Sequence, residues 1–249
     1  MQHFIEYFVV FFAILLIRYF ATAGIFYAYY IKIRTTQSDR KILSPKPVQE
    51  KQVKKEMYWS VISSAIFALF GAFTYWLWLK NLTVIYINPA QYGYFYLPLS
   101  LVLIMLIHET YYYWIHRAMH HRKFFSTVHK VHHLSISSTP WTAFSFHPYE
   151  SVLEALILPL ILMLIPVNIY VLLFYLLFMT LSSVINHLDI EVYPAFFRNS
   201  SFGKLWIDAT HHHLHHKEFK TNYGLYFTFW DKLMRTESAA EGARTQHSH

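Results

Sequence analysis

The chain is 249 residues long, 55% hydrophobic, 20% aromatic and only 14% charged, with a mean hydropathy of +0.26; this is the composition of a membrane protein, not of one or two soluble domains. Its 6 glycines are scattered over positions 24, 71, 93, 203, 224 and 242, which excludes the usual glycine-rich dinucleotide and nucleoside triphosphate sites, and the absence of cysteine excludes disulfides, thiolate-held haem, iron–sulfur clusters and cysteine zinc sites together. The formal charge of +7 reads as charge at a membrane surface, with no nucleic-acid footprint.

Phe4 to Ile33 is apolar but carries Glu6, Arg18 and Lys32. It reads as an anchor with no small-residue cleavage site, either one tilted span or a shorter span with an interfacial portion. Residues 34–57 are polar and basic, with Arg34, Arg40, Lys41, Lys46, Lys51, Lys54 and Lys55 set against Asp39, Glu50 and Glu56, and with Pro45 and Pro47 to break a helix. The positive-inside rule makes this loop cytoplasmic. Tyr58 to Leu79 is 22 residues without a charge, about 33 Å as a helix, which matches the hydrocarbon core. Lys80 to Tyr92 forms a loop on the far side. Tyr94 to Ile107 begins the return, extended through Tyr111, Tyr112, Tyr113 and Trp114 at the aromatic belt. Residues 152–181 are apolar but interrupted by Pro159, Pro166 and Asn168. The stretch is too long for one untilted span and too short for two, so it reads as a helical hairpin that enters and leaves by one face. The expected fold is an all-α integral membrane bundle with a helical histidine domain on its cytosolic face: anchoring helices over 1–107, the catalytic part over 108–236 and a polar tail over 237–249.

Histidine carries the chemical signal. Seven of the 17 fall between 108 and 133, namely His108, His116, His120, His121, His129, His132 and His133, and five of the six residues from 211 to 216 are histidine. His116 and His120 are an i, i+4 pair that shares one helix face, and His121 lies one residue further round. His129-Lys130-Val131-His132-His133 and His212-His213-Leu214-His215-His216 both read HxxHH, a spacing that converges imidazoles on a metal such as iron, zinc, copper or nickel. Together with His187 these boxes offer more nitrogens than one ion can use, which favours two metals. A lone histidine on an apolar helix is usually a satisfied core residue; three boxes at ligand spacing reverse that expectation. His108-Glu109-Thr110-Tyr111-Tyr112 begins like the zinc-protease motif but has Tyr112 where the second ligand would stand. A zinc hydrolase would leave most histidines without a task, and a metal transporter would need ionisable groups inside the spans, which Tyr58 to Leu79 lacks.

The boxes have company: Thr139-Pro140, Ala143-Phe144, His147-Pro148-Tyr149-Glu150, His187, then Phe219, Asn222-Tyr223-Gly224 and Trp230-Asp231 after the last box. In this order they resemble the fatty acid hydroxylase superfamily, membrane-bound di-iron oxygenases. Within it, Glu56-Met57-Tyr58-Trp59-Ser60-Val61, Tyr92-Gly93-Tyr94-Phe95-Tyr96-Leu97-Pro98-Leu99-Ser100 and Tyr226-Phe227-Thr228-Phe229-Trp230-Asp231-Lys232 are similar to the sterol C-5 desaturase (lathosterol oxidase) branch. The resemblance implies two irons, with zinc possible as isolated, O2 as co-substrate, and desaturation or hydroxylation of a sterol or fatty-acyl C–H bond. It also implies electrons from an external cytochrome or ferredoxin with its reductase, and residence in the endoplasmic reticulum of a eukaryote or the inner membrane of a bacterium. Family members carry an acidic residue inside the third box, where this chain has His213-Leu214; Asp208 and Asp189 are the candidates to replace it.

The expected metal ligands are His116, His120, His121, His129, His132, His133, His187, His212, His215 and His216. His147, His211 and Glu109 are the catalytic candidates, the two histidines either as ligands or as hydrogen-bond partners of ligands. Trp141, Phe144 and Phe146 are expected to line a slot through which a lipid reaches the metals.

Overall fold

No proline interrupts the first apolar stretch, and in the computed structural model, which describes residues 2–36, 42–44 and 48–240, it forms one unbroken helix, α1 (Gln2–Thr35). At about 51 Å it exceeds a hydrocarbon core. Asp39, Arg40, Lys41, Pro45, Lys46 and Pro47 of the basic loop, and residues 241–249 of the tail, lie outside the described residues. α2 (Glu50–Leu79) runs back along α1. The helices approach closely at Gly71, whose absent Cβ would sit 3.1 Å from Phe11, and Tyr7 meets Tyr75 edge-on with ring centroids 4.7 Å apart.

After α2 comes a two-residue strand, β1 (Ile85–Tyr86), then α3 (Tyr96–Met119). Two single turns, α4 (Phe125–Val128) and α5 (Lys130–His133), carry the second box. A 3-10 turn at Pro140–Phe144, boxed at its start by Thr139 and Thr142, leads into α6 (Pro148–Leu164). β2 (Val167–Asn168) and α7 (Ile169–Asn186) follow, α7 being capped by the Asn168 side chain, which accepts from the Tyr170 amide. α8 (Ala195–Arg198), α9 (Ala209–Glu218) with the third box, and α10 (Phe229–Leu233) complete the chain. The fold is thus all-α as expected; the one sheet among the described residues is the parallel pair β1–β2.

Three helices are long and apolar enough to cross a membrane: His3–Thr35, Glu50–Leu79 and Ile169–Asn186. The apolar stretch over 152–181 resolves into α6 and α7, joined by a turn containing Pro166. Ile85 pairs with Val167 and Tyr86 with Asn168, the Asn168 amide group donates to Ile87 O at 3.2 Å, and the Val84 amide bonds Leu162 O at 2.9 Å. These bonds fasten the α6–α7 turn to the loop between α2 and α3, at the end of the bundle away from the histidines. Three cores fill the bundle, a small one of Tyr30, Ile33, Leu188 and Ile190 that ties the end of α1 to the chain after α7 and two larger ones. Ile104, Ile157, Ile161, Leu162, Val167, Leu172, Tyr175 and Tyr226 bind α3 to α6 and α7; Tyr19, Ala23, Val53, Trp141, Ala143, Phe144 and Val184 bind α1 and α2 to the 3-10 turn.

Candidate metal centre

Helix geometry divides the histidine boxes between two centres. On a helix, residues i and i+4 lie about 40° apart while i+3 falls about 60° on the other side of i, so an HxxHH box presents two rings one way and the third another. In the second box His129 and His133 face one centre and His132 the other; in the third box His212 and His216 face the second centre and His215 the first. His116 and His120, from the last turns of α3, join the first, and His187, at the C-cap of α7, joins the second. The result is a group of five, His116, His120, His129, His133 and His215, and a group of four, His132, His187, His212 and His216, each with its donor atoms within 4.8 Å of one another.

The Nε2 atoms point inward. In the first group His116 to His129 is 3.1 Å, His129 to His133 3.1 Å, His133 to His215 3.0 Å and His120 to His215 3.2 Å. In the second, His132 to His187 is 3.2 Å, His187 to His212 2.8 Å and His212 to His216 3.1 Å. For metal–nitrogen bonds of about 2.0–2.1 Å, neighbouring donors stand ~2.9 Å apart around an octahedron and ~3.3 Å around a tetrahedron. The contacts of 2.8–3.2 Å are of the size that donors take around one ion, and five donors exceed a tetrahedral set. An all-imidazole donor set without thiolate suits a borderline ion such as iron.

The outer nitrogens fix the rings. His116 Nδ1 meets Tyr223 O at 2.9 Å, His215 Nδ1 meets Thr221 O at 2.7 Å and His187 Nδ1 meets Ser183 O at 2.7 Å. His129 Nδ1 lies 2.6 Å from Glu150 Oε1, with both side chains fully buried. Each contact selects the tautomer whose Nε2 lone pair faces the centre. Burial pushes the His187 and His215 imidazoles down to about 4 and holds His132, His212 and His216 well below their ordinary value. All are therefore neutral at pH 7, the form that ligates.

Of the ten histidines expected as ligands, His121 stands apart. It is exposed, with its ring 6.0 Å from Phe124, because one further residue turns it about 100° off the His116–His120 face. The three catalytic candidates lie outside both groups. His147 caps α6 by accepting from the Tyr149 amide and sits 6.0 Å from the Trp59 ring. His211 Nε2 is 3.6 Å from Asp231 Oδ2. Glu109 accepts from the amides of Leu225, Tyr226 and Phe227 at 3.1, 2.6 and 3.2 Å, which makes it the anchor of the loop after the third box. Trp141 and Phe144 pack into the core against Tyr19, so of the three residues expected to line a slot only Phe146 meets a grouped histidine, 5.0 Å from the His132 ring.

Four carboxylates that the spacing of the boxes does not reveal organise the surroundings. Besides Glu150 and Glu109, Glu56 of α2 accepts from Ser135 at 2.7 Å, Thr139 at 2.6 Å, Thr142 at 2.9 Å and Gln52 at 2.8 Å, stapling the strand of chain after the second box to α2. Asp231 accepts from the Tyr223 and Gly224 amides at 2.8 and 2.9 Å and from Thr236 at 2.8 Å. Burial pushes its carboxyl up, but the His211 contact with these bonds outweighs that and holds it below the usual carboxylate range. Of the two acids proposed to replace the missing one in the third box, Asp208 caps α9 through the His211 amide at 2.8 Å. Asp189 binds Arg34 at 2.8 Å, Ser44 at 2.7 Å and His213 at 3.2 Å. Neither belongs to a histidine group.

The profile of the fatty acid hydroxylase family matches residues 101–236, more than half of the chain and all nine grouped histidines, and the chain is a membrane protein of that family. Lathosterol oxidase of Homo sapiens is 29% identical over 160 residues, 63% of this chain and 52% of that protein. Lathosterol oxidase of Mus musculus is 27% identical over 198 residues, 78% and 64%, and a Delta(7)-sterol 5(6)-desaturase of Gibberella zeae is 28% identical over 202 residues, 81% and 61%. The chain therefore spans between half and two-thirds of the length of these relatives. No solved structure matches it significantly.

Proposed function

We propose that this chain is a membrane-bound, O2-dependent di-iron oxidoreductase that acts on a lipid C–H bond, with a Δ7-type sterol as first-choice substrate and desaturation as first-choice outcome. The observation that carries the reading is the separation of nine imidazoles into converging groups of five and four. The relatives' names supply the sterol, and hydroxylation of an acyl chain is the alternative within the same family. His116, His120, His129, His133 and His215 would hold one iron, and His132, His187, His212 and His216 the other; His121 is left out of the set. Such a pair of ions, when bound, supplies the power to activate O2 toward an unactivated C–H bond.

The chain's own part is positional. Tyr223 O, Thr221 O, Ser183 O and Glu150 hold the rings with Nε2 inward, and the four-histidine group would offer an ion one donor fewer than the five-histidine group. Burial of both groups keeps water out, and Phe146 against His132 gives the second group an apolar flank on which hydrocarbon can rest. No flavin or nicotinamide motif is present in the sequence, so electrons come from an external cytochrome or ferredoxin with its reductase. Lys51, Lys55, Lys123 and Lys130 near the histidine end give an acidic donor a surface to meet. This face is cytoplasmic in our reading, and the protein is multi-pass.

The test is metal content measured together with O2-dependent turnover on a Δ7-sterol and, separately, on a fatty-acyl lipid. About two irons per chain and a new ring double bond are expected. An added hydroxyl on the acyl lipid alone would move the substrate but keep the chemistry; zinc with turnover in the absence of O2 would replace the reading by a hydrolase.

A further inference from the structure

Between α7 and α9 the chain folds back along the bundle. The Trp206 ring lies 5.9 Å from Phe178, and Phe178 sits eight residues before the end of α7, about 12 Å down its axis and inside a segment apolar enough to cross a membrane. Phe202 stacks on Trp206 at 5.8 Å. Lys232 Nζ donates to Lys204 O at 2.5 Å, bringing α10 to the same place. On the outer side of these contacts large apolar side chains are left uncovered: Phe196 is 82% exposed, Phe202 58%, Leu205 46% and Leu233 68%.

Large apolar side chains this exposed are costly in water, and a group of them marks a binding surface. The depth of the Trp206–Phe178 contact says what is bound. Phe174 and Leu177 of α7, also exposed, carry the same apolar surface on toward the bundle centre, so the patch continues the lipid-facing side of a spanning helix. Lys204 and Arg235 are exposed beside it, where long cationic side chains reach headgroups while the apolar residues enter the acyl layer.

We propose that Phe196, Phe202, Leu205 and Leu233 form a second membrane attachment, embedded in the leaflet that surrounds the histidine end of α7, with the basic residues at the level of anionic headgroups. The segment would then hold α9, and with it the third histidine box, against the bilayer surface from which an apolar substrate arrives. This inference stands whether or not the histidine groups hold iron.

The chain has no cysteine, so a single cysteine at Phe196, Phe202 or Leu233 accepts a nitroxide label alone. In vesicles of phosphatidylcholine and phosphatidylglycerol, each label should relax more with dissolved oxygen than with a water-soluble nickel chelate, as a label at Leu173→Cys on α7 does, while Glu50→Cys shows the reverse. Nickel-dominated relaxation at positions 196 and 202 overturns the proposal. So does dipolar broadening that disappears on dilution with unlabelled chain, since a second copy would then cover the patch.

Discussion

Glu150 is the side chain whose removal separates a metal-binding role for these histidines from mere packing. Among the described residues its carboxylate is the one acid bonded to a grouped histidine ring, and it touches His129 of the five-membered group at 2.6 Å. A carboxylate behind a ligating imidazole fixes its orientation and raises its basicity, and losing such a partner costs about 10–100-fold in metal affinity. Glu150→Gln should therefore weaken one of two cobalt equivalents in a titration followed by the visible spectrum and leave the other unchanged; equal weakening of both would point to damaged folding instead. His212→Ala and His132→Ala both remove donors of the other group and should each abolish binding of that second equivalent while the chain still inserts, as metal analysis of the membrane fraction would show. The HxxHH spacing made the histidines legible because an i, i+3, i+4 cluster has few other uses. Adjacent His120 and His121 were not separable that way, since only the end of α3 decides which of them faces inward. Glu150 was visible as part of a motif, but its task was not: it meets His129 across a sequence gap of 21 residues.

Glu56 gives α2 a task beyond spanning. The three hydroxyls of Ser135, Thr139 and Thr142 all donate to it, so the 3-10 turn and the loop after the second box are hung from one buried carboxylate. Glu56→Ala leaves those groups to find other partners, and at about 1–3 kcal/mol for each buried group left unsatisfied the variant should unfold at a clearly lower temperature in detergent; an unchanged midpoint would mean that the loop is held by packing alone. The helices themselves were largely readable. Apolar length gave α1 and the Tyr58–Leu79 part of α2, whose first two turns from Glu50 lie in the stretch read as a loop; Pro159 lies inside α6, whereas Pro166 gave the turn of the hairpin. Its ends were not readable, because α6 begins at Pro148 and α7 runs to Asn186, through polar residues that hydropathy counts against a helix but that neighbouring elements satisfy. Glu109 shows the same limit: a motif-like neighbourhood suggested chemistry, and tertiary structure uses the carboxylate to accept three backbone amides instead.

The bonds from β1 to β2 place the α6–α7 turn beside the α2–α3 loop, so these two connections should share a compartment opposite the histidine end. Single cysteines at Asn88 and Ile165 should react with an impermeant maleimide from one side of the membrane, and cysteines at Lys51 and Lys220 from the other; reaction of Ile165→Cys from the Lys51 side would mean that the hairpin is re-entrant and stops short. The same arrangement imposes an order of events during synthesis. His116, His120, His129 and His133 precede the hairpin, so four of the five donors of the first centre exist before α6 and α7 have been made. Of the second centre only His132 does; His187, His212 and His216 must wait until the chain has gone down and come back. A ribosome-bound chain can thus assemble most of one metal pocket early, whereas the other cannot close until the membrane part is complete, and the last histidine box, arriving with His215 as well as His212 and His216, finishes both pockets in a single step.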